Sequence, residues 1–436
     1  MIRILDSGVD DFSESVEKLL TIPEENSGGV KAIVQDILDR VKRDGDTAVL
    51  ELTNKFDNAG ASQISDLEVE QSEMRAAAGR IEPLVADALR TSIDRVRKYH
   101  IRQKDSLGGQ AQWSYEDEDG NRLGQLVRGM ERVGVYVPGG KASYPSSVVM
   151  TVVPAKVAEV GEIILMVPAP DGELNDVLLA AAYFCGVDRM FKIGGAQAVA
   201  ALAYGTDLVP RVDKIVGPGN IYVATAKSMV FGEVGIDMIA GPSEVVIVAD
   251  ASADPDWLVM DMFAQAEHDE MAQAIMISTD HDLLKRVAKI VEDTIPKMRR
   301  SAIIRQSIED RGALILVQSE NQIIDLVNRI APEHLEIVVE NPAVILAGVR
   351  HAGAIFTGRY SAEVIGDYTA GPSHVLPTGG TARFASPLGV YDFQVRSSLI
   401  QCTARGAINL SRAAAILAEQ EGLEAHAKSA EYRIQG

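Results

Sequence analysis

The chain has 436 residues, of which 47% are hydrophobic and 24% charged, a composition typical of a globular protein with more than one domain. Its formal net charge of −20 repels phosphate backbones, which argues against a nucleic-acid partner. No apolar run approaches the roughly 20 residues of a membrane helix, and the N-terminus lacks the apolar core of a signal peptide, so we expect a cytoplasmic protein.

The first third of the chain is predicted to be mainly helical. Residues 1–29 form a short acidic arm, and apolar residues then recur at helical spacing from Val30 to Lys55. A second helical run extends from Met74 to about Gln103. Residues 112–127 are expected to form a β-hairpin around a turn of the type Glu-Asp-Gly-Asn.

From Arg132 to about residue 250, short apolar strands alternate with helices. This alternation predicts parallel βαβ units whose sheet is covered on both faces. Three strands run into glycine turns, at residues 138–140, 194–197 and 217–220. Glycine there allows the backbone to approach a phosphate or a ring closely. None of the turns has the G-x-G-x-x-G pattern, so the usual dinucleotide fingerprint is absent.

Strands and helices continue to alternate after residue 244. Asp254 and Pro255 form a typical helix start, with an N-cap followed by proline at the first helical position. The helix extends to His268. The tail from Ser411 is also predicted to be helical, with a break at Gly422. The only two cysteines, Cys185 and Cys402, are flanked by apolar or small residues, which favours buried free thiols over a disulfide.

Four of the seven histidines lie in short polar stretches of the second half, each with a carboxylate a few residues away. They are His268, His334, His374 and His426. Neutral imidazoles and carboxylates are the ligands of zinc and the groups of proton-transfer sites. Their uneven distribution indicates a metal-assisted active site built from distant segments.

Two of these stretches have a specific geometry. Gln265 and His268 are three residues apart on the predicted helix, so they share a face and suit two ligands of one metal ion. The alternative is a polar helix face with one surface histidine. Glu333 and His334 precede an apolar strand, where a carboxylate beside an imidazole offers two proton-transfer roles. The alternative there is a solvated turn.

The other candidates are less specific. Asp367 offers a hard oxygen ligand and His374 a donor or a base, but their glycine-rich loop also has the composition of a plain turn. Glu421 and His426 are five residues apart and share a helix face only if Gly422 reorients one of them. A role of Ser243 as a nucleophile is disfavoured, because the second glycine of G-x-S-x-G is missing.

Taken together, these motifs resemble the histidinol dehydrogenase family over essentially the full length of the chain. Several motifs in order are far more specific than any one of them. The resemblance is carried by residues 132–145, 212–226, 236–244, 265–269, 331–336, 366–376 and 421–426.

The resemblance implies an α/β fold of two incomplete Rossmann-like, doubly wound domains, similar to aldehyde dehydrogenases, with small N- and C-terminal helical segments. A main domain is expected from residues 30–131 together with 245–388, and an NAD-contacting domain from residues 132–244. The N-terminal arm, residues 1–29, precedes them. The segment 389–436 is expected to reach the active site of a partner subunit, so that a homodimer shares its sites.

The resemblance also implies two successive NAD-dependent oxidations of L-histidinol, through L-histidinal to L-histidine, at a zinc site. This is the last step of histidine biosynthesis. The implied zinc ligands are Gln265, His268, Asp367 and His426. The implied acid–base residues are Glu333 and His334. The implied substrate contacts are the four zinc ligands together with Ser243, His334, His374 and Glu421. The implied NAD contacts are Tyr136, Gln197 and Asn220.

Three alternatives remain open at this stage. A related dehydrogenase acting on another polyol, such as a sulfonated diol, would share the zinc and the Glu-His pair but not Glu421 and His426. A zinc hydrolase uses the same ligand types but leaves the glycine turns unexplained. A non-catalytic nucleotide-binding protein would need no metal. Manganese or cobalt can also replace zinc in a site of nitrogen and oxygen ligands.

Overall fold

A computed structural model of the chain describes residues 2–21, 27–106, 112–139 and 144–435. The predicted glycine turn at residues 138–140 therefore lies partly outside the described residues. The strands of the described part are β1 (Arg3–Asp6), β2 (Glu68–Val69), β3 (Gln112–Glu116), β4 (Arg122–Gly129), β5 (Arg132–Tyr136), β6 (Glu162–Met166), β7 (Arg189–Phe191), β8 (Lys214–Val216), β9 (Gly235–Ile236), β10 (Glu244–Ala249), β11 (Gln273–Ser278), β12 (Ala313–Leu316), β13 (His334–Val338), β14 (Ala354–Thr357) and β15 (Gln394–Gln401).

The helices of the same part are α1 (Phe12–Leu20), α2 (Ser27–Asp57), α3 (Gln71–Arg80), α4 (Pro83–Ser106), α5 (Pro145–Val157), α6 (Asp176–Cys185), α7 (Gly195–Tyr204), α8 (Ile221–Val230), α9 (Pro255–Ala266), α10 (His281–Thr294), α11 (Ser301–Arg311), α12 (Glu320–Ile330), α13 (Ala343–Gly348), α14 (Glu363–Ile365), α15 (Ala404–Gln420) and α16 (Glu424–Gln435). None of these helices combines the length and the apolar composition that crossing a bilayer requires.

The first sheet has six parallel strands in the order β1-β12-β11-β10-β13-β14. Its four central strands, β10 to β13, are almost fully buried because helices cover both faces, as in other parallel sheets. Helices α9, α10 and α11 pack on one face and α1, α12 and α13 on the other. From β10 the chain adds β11 and β12 on one side and then returns to add β13 and β14 on the other. The strand order therefore reverses between β10 and β13, and the sheet is doubly wound.

The second sheet also has six strands, in the order β2-β7-β6-β5-β8-β9. All of its pairs are parallel except the short β2–β7 pair. Helices α2, α7 and α8 cover one face, and α3, α4, α5 and α6 cover the other. The order reverses between β5 and β8, so this sheet is doubly wound as well.

A third, antiparallel sheet of three strands has the order β15-β4-β3. The hairpin β3–β4 confirms the predicted one, whereas β15 was not predicted. Helices α15 and α16 follow and pack on each other. The break between them is at Gly422, which has a φ of 72°, as predicted. Thr403 anchors this unit, because its hydroxyl caps α15 through Gly406 N–H at 3.0 Å and donates to the carbonyl of Asp119 at 2.8 Å.

The packing differs from the expected division of the chain in two places. Residues 1–29 do not form a separate arm, because β1 pairs with β12 and extends the first sheet. Helices α2, α3 and α4 pack on the second sheet, not on the sheet of residues 245–388 with which they were grouped. The physical reason is that an amphipathic helix shows which face it buries but not which sheet receives that face.

Local details also differ from the predicted elements. The helical run expected from Met74 to Gln103 is two helices, because proline at residue 83 has no N–H to continue the first. Helix α2 is kinked at Gly45, where φ is 52°. Both cysteines are free, as predicted, but only Cys185 is buried and Cys402 is exposed.

Candidate active site

The site begins where two neighbouring strands of the first sheet start. Strands β10 and β13 pair in parallel with Val245 opposite His334. The Glu333 carboxylate accepts a hydrogen bond of 2.9 Å from the backbone N–H of Glu244. The side chains of Glu333 and His334 are both buried. The pair therefore lies inside the protein and is not part of a solvated turn.

The turn that places this pair follows from the local sequence. Ala331 ends α12 in the left-handed region, at a φ of 52°, and Pro332 cannot continue the helix because it has no N–H. The carbonyl of Pro332 accepts from Gly353 N–H at 2.9 Å, and the carbonyl of Glu333 accepts from Ala354 N–H at 2.8 Å. The start of β14 thus holds the backbone at the site.

The hydrogen bonds of His334 indicate which ring nitrogen is available for chemistry. Its Nδ1 lies 3.2 Å from the carbonyl oxygen of Glu244, an acceptor, so Nδ1 carries the proton. Its Nε2 is buried and has no hydrogen-bond partner among the described residues. The nearest carboxylate, Asp367 Oδ1, lies 3.6 Å from Nε2, beyond hydrogen-bond range. Nε2 is therefore unpaired and open to the cluster.

Carboxyl groups surround the other side of this imidazole. Glu333 Oε2 lies 3.8 Å and Glu363 Oε1 3.7 Å from Nδ1. Burial by itself lowers the pKa of His334, but the nearby carboxylates of Glu363 and Glu333 outweigh it and raise the pKa well above its ordinary value. Burial raises the pKa of Glu333 to about 7. The surroundings thus raise the pKa values of both Glu333 and His334, and shifted pKa values are typical of groups that transfer protons.

Glu363 was missed in the sequence analysis. It is buried in α14, and one ligand atom each from His334, Glu363 and Asp367 lie within 4.8 Å of one another. Burial raises the pKa of Glu363 well above its ordinary value. The sequence did contain a signal, because Glu363 precedes Asp367 by four residues, the spacing of one helix face.

Helix α9 brings the predicted Gln265–His268 pair to the same cluster. The helix starts as predicted, with Asp254 accepting from Asp256 N–H and Pro255 at its first position. Gln265 Nε2 lies 3.1 Å from His268 Nδ1, so the two side chains do share a face. Gln265 is fully buried, and its Oε1 has no partner among the described residues. The helix ends at Ala266, two residues before its predicted end, so His268 lies just beyond it and is exposed.

The loop of Asp367 and His374 closes the cluster. Asp367 lies in a π-helical turn over residues 366–370, and His374 Nδ1 is 3.1 Å from its carbonyl oxygen. Burial by itself raises the pKa of Asp367, but the imidazoles of His334 and His374 lower it below the ordinary value. Asp367 and His268 also influence each other's pKa, so they are neighbours. Burial lowers the pKa of His374.

The chain does not bring every predicted residue to this cluster. Ser243 precedes β10 directly and is half-buried beside it. Glu421 and His426 are exposed, at the end of α15 and in α16. The same two helices expose several large apolar side chains: Leu410, Ile416, Leu417 and Tyr432. The predicted roles of Glu421 and His426 therefore require another subunit.

The predicted NAD contacts lie elsewhere, at the carboxyl ends of strands in the second sheet. Tyr136 ends β5, and its buried hydroxyl accepts a hydrogen bond of 3.1 Å from Gly195 N–H. Gln197 is buried in the first turn of α7, and its Nε2 has no partner among the described residues. Asn220 is exposed and caps α8 by accepting from Tyr222 N–H at 3.1 Å.

The glycine turn before Asn220 is tightly built. Gly217 has a φ of 106°, and a Cβ there would lie 2.0 Å from the carbonyl oxygen of Tyr136. Its N–H donates to Asp237 Oδ2 at 2.7 Å, and its carbonyl accepts from Lys227 Nζ at 2.8 Å. Lys227 and Asp237 form a buried ion pair with each other. Side chains thus bind both backbone polar groups of Gly217, its N–H and its carbonyl.

The two regions face each other across the loop of His374. Helix α5 follows β5, so its first turn lies at the carboxyl edge of the second sheet. Ser147 in that turn has its Oγ 3.5 Å from His374 Nε2. Ser373 Oγ donates to the carbonyl of Met150 at 3.0 Å. The polar cluster of the first sheet therefore lies beside the carboxyl edge of the second.

Comparisons with known proteins agree with this arrangement. A solved histidinol dehydrogenase from Elizabethkingia anophelis superposes with a TM-score of 0.92 at 30% identity and covers 100% of this chain and 98% of its own. An aldehyde dehydrogenase from Bartonella henselae, at 13% identity, shares the fold alone, with a TM-score of 0.50 over 88% of each chain. These similarities confirm the expected α/β fold.

The sequence relatives identify the family. A histidinol dehydrogenase of Pseudomonas aeruginosa is 56% identical over 433 residues, which cover 99% of this chain and 97% of that relative. The family model described as histidinol dehydrogenase matches residues 20–434. Dehydrogenases are oxidoreductases, so the reaction class is that of the predicted enzyme. The chain belongs to the histidinol dehydrogenase family.

Proposed function

We propose that the chain oxidises L-histidinol to L-histidine through L-histidinal, in two NAD-dependent steps at a zinc site, as the last step of histidine biosynthesis. The observation that supports this most directly is the unpaired Nε2 of His334. This buried nitrogen has no hydrogen-bond partner among the described residues, and the carboxyl groups of Glu333 and Asp367 lie beside its ring. Such a cluster suits the removal of a proton from a bound alcohol.

The residues present fit a zinc ion. Gln265 Oε1 is a buried acceptor with no partner in the described part of the chain, and a buried acceptor of this kind needs a donor or a cation. His268 and Asp367 add an imidazole and a carboxylate, both ordinary zinc ligands. His426 of a second subunit would complete the set in a homodimer, since its own chain leaves it exposed. When bound, zinc would orient the substrate and polarise its oxygen.

The substrate would lie between the two sheets. We propose that Ser243, His374 and Glu421 contact it, together with the zinc ligands and His334. His374 is well placed for this, because Ser147 and the carbonyl of Asp367 hold its ring between them. Glu421, like His426, would come from the partner subunit.

His334 would act in both oxidations as the base. Its Nδ1–H donates to the carbonyl of Glu244, which keeps the lone pair on Nε2 directed into the cluster. Nε2 would take the proton of the alcohol while NAD accepts the hydride. The imidazolium formed in this step is stabilised by the carboxylates that already raise the pKa of His334. The buried position also excludes bulk water from the reactive aldehyde.

Glu333 would act between the two oxidations. Its carboxylate has a pKa raised to about 7 by burial, so it can accept a proton from water near neutral pH. Attack of that water on the bound aldehyde, with the His334 imidazolium returning its proton to the aldehyde oxygen, would give the neutral hydrate and a neutral His334, which can then deprotonate the hydrate in the second oxidation. The Glu244 N–H holds Glu333 at 2.9 Å and fixes the direction of its carboxylate.

The dinucleotide would bind at the carboxyl edge of the second sheet, contacted by Tyr136, Gln197 and Asn220. Open α/β sheets bind ligands where the strand order reverses, and here that point lies between β5 and β8. Both strands lead into this region, through Tyr136 and through the turn of Gly217.

The test follows NADH formation with L-histidinol in protein loaded with zinc, with and without a chelator. The proposal requires two NADH per histidine formed and loss of activity on metal removal, restored by zinc. A sulfonated diol serves as the competing substrate. Faster oxidation of that diol, or turnover without NAD, would contradict the proposal.

A further inference from the structure

A second buried carboxyl group lies two residues beyond His334 on β13, on the same face of the strand. This group, Glu336, is fully buried. Its Oε1 accepts a hydrogen bond of 2.6 Å from the backbone N–H of Glu363. Its Oε2 has no partner among the described residues. A buried oxygen of this kind needs a proton, a water or a cation.

The charge of another acid acts on Glu336. Asp261 lies on α9, one turn before Gln265, and is partly buried. Burial raises the pKa of Asp261 to about 6. Burial, and then the charge of Asp261, raise the pKa of Glu336 to about 8. Neither side chain is paired with a Lys or Arg side chain in the part of the chain that the structure describes. The two carboxyl groups thus line one cavity, and the imidazole of His334 is the cationic group that acts on Glu336.

A small cavity lies between them. Its volume is about 10 Å³, room for one body of the size of a water molecule. The walls offer oxygen atoms from carboxylates, a hydroxyl group and the backbone. The lining residues that carry the argument are Asp254, Asp261, Glu336, Ser361, Trp257 and Arg359.

The one cationic side chain of the lining contacts two aromatic rings. The Arg359 guanidinium lies 5.2 Å from the ring centre of Trp257 and 5.4 Å from that of Tyr360. Both rings are substantially exposed, Tyr360 at 75% and Trp257 at 46%. Cation–π contact satisfies Arg359 at the surface. The charge of the two acids below it is left to another ion.

We propose that this cavity binds a single hard cation of the size of Ca²⁺, ligated by Asp261, Glu336 Oε2 and neighbouring oxygen atoms. An all-oxygen set with two or three carboxylates is typical of Ca²⁺ and unlike the mixed nitrogen and oxygen set of the zinc site. Mg²⁺ suits the cavity less, because it keeps several waters and there is no room for them. The two sites share no ligand.

The position of the site gives it a structural consequence. Glu336 holds the N–H at the start of α14, and the side chain of that same residue, Glu363, lies 3.7 Å from His334 Nδ1. A bound ion would fix Glu336 and, through it, the start of α14 against β13. The ion therefore supports the region behind the active site without entering it.

Terbium luminescence tests this proposal, because Tb³⁺ resembles Ca²⁺ and emits when an excited indole lies close to it. Trp257 lines the cavity. The protein is loaded with zinc beforehand, so that its nitrogen ligands are occupied. We expect sensitised emission that Ca²⁺ displaces. Asp261→Asn and Glu336→Gln should each weaken Tb³⁺ binding roughly tenfold or more, since each removes a charged ligand.

Two controls make the result specific. Asp256→Asn changes an exposed acid of the same helix that does not line the cavity, and it should leave binding unchanged. Trp257→Phe should abolish the emission but leave the heat of Ca²⁺ binding in calorimetry.

Absence of emission and of heat in the wild type would show that the acids only share a proton, and would overturn the proposal. Equal affinities of Asp261→Asn, Glu336→Gln and Asp256→Asn would overturn it as well. Neither readout involves NAD or histidinol, so this result is independent of the proposed function.

Discussion

The two six-stranded sheets use opposite edges. In the second sheet, the candidate dinucleotide residues lie at the ends of strands, since Tyr136 ends β5 and the Gly217 turn follows β8. In the first sheet, candidate acid–base and substrate residues lie at the starts of strands, since Glu333 precedes β13 and Ser243 precedes β10. Ligands of open α/β sheets usually bind at carboxyl edges. The amino edge of the first sheet can form one wall of a binding site because the carboxyl edge of the second sheet lies opposite to it.

The two edges also differ in how their polar groups are satisfied. At the second sheet, side chains hold the backbone of the turns: the Tyr136 hydroxyl accepts from Gly195, and Asp237 accepts from Gly217. At the first sheet, four buried side-chain atoms lack partners among the described residues, namely Gln265 Oε1, Glu244 Oε2, His334 Nε2 and Glu363 Oε2. The edge of the second sheet is a mostly finished surface, where Gln197 Nε2 is the unpaired atom of the candidate NAD contacts. The other is a set of unsatisfied groups that a metal and a substrate would complete.

Removing the base should produce the largest effect. His334→Ala should lower kcat for histidinol roughly 100-fold or more, the usual scale of general base catalysis, because no other described group replaces Nε2. His281→Ala, an exposed histidine at the start of α10, serves as the control and should keep its rate. Steady-state NADH formation measures both. A loss of less than about tenfold would show that the amino edge does not provide the base.

Changing the neighbouring acid should separate the two oxidations. In Glu333→Gln the side-chain carbonyl can still accept from Glu244 N–H, so the structure is kept while the carboxylate base is lost. We expect oxidation of histidinal to fall by roughly 100-fold and oxidation of histidinol to change little. Single-turnover measurements started from each substrate provide the comparison. Equal losses in both steps would refute this division between Glu333 and His334.

The carboxyl edge was largely predictable from the sequence, because its parts are local. Alternating strands and helices predicted parallel βαβ units, and glycine turns after strands predicted positions of close approach. The Asp254–Pro255 pair predicted the start of α9, and Gly422 predicted the break between α15 and α16. Each of these signals is contained within a few residues, and the structure preserves it.

The amino edge was predictable only in part, because its members come from separate segments. Local motifs and the family resemblance both indicated Glu333 and Asp367, whereas the signal for Glu363 was only its spacing of four residues from Asp367. Its role depends on burial beside His334, which is a tertiary property. The sheet to which α2, α3 and α4 belong was missed for the same reason. Periodicity identifies a buried face without identifying its partner.

Two glycines with the same backbone angle can test how closely the carboxyl edge is packed. Gly217 and Gly232 both have a φ of 106°, but a Cβ at Gly217 would lie 2.0 Å from the carbonyl of Tyr136, and a Cβ at Gly232 would meet no atom within 4 Å. Gly232→Ala should cost only the backbone strain, ~1–3 kcal/mol of unfolding free energy. Gly217→Ala should lose ~1–3 kcal/mol more, because the clash forces the turn to move.

Gly217→Ala should also raise KM for NAD, since the turn leads to Asn220, whereas Gly232→Ala should not. Denaturant unfolding and the NAD dependence of the rate measure the two effects. Equal stabilities with an unchanged KM would mean that the turn relaxes freely and is not the finished surface inferred here.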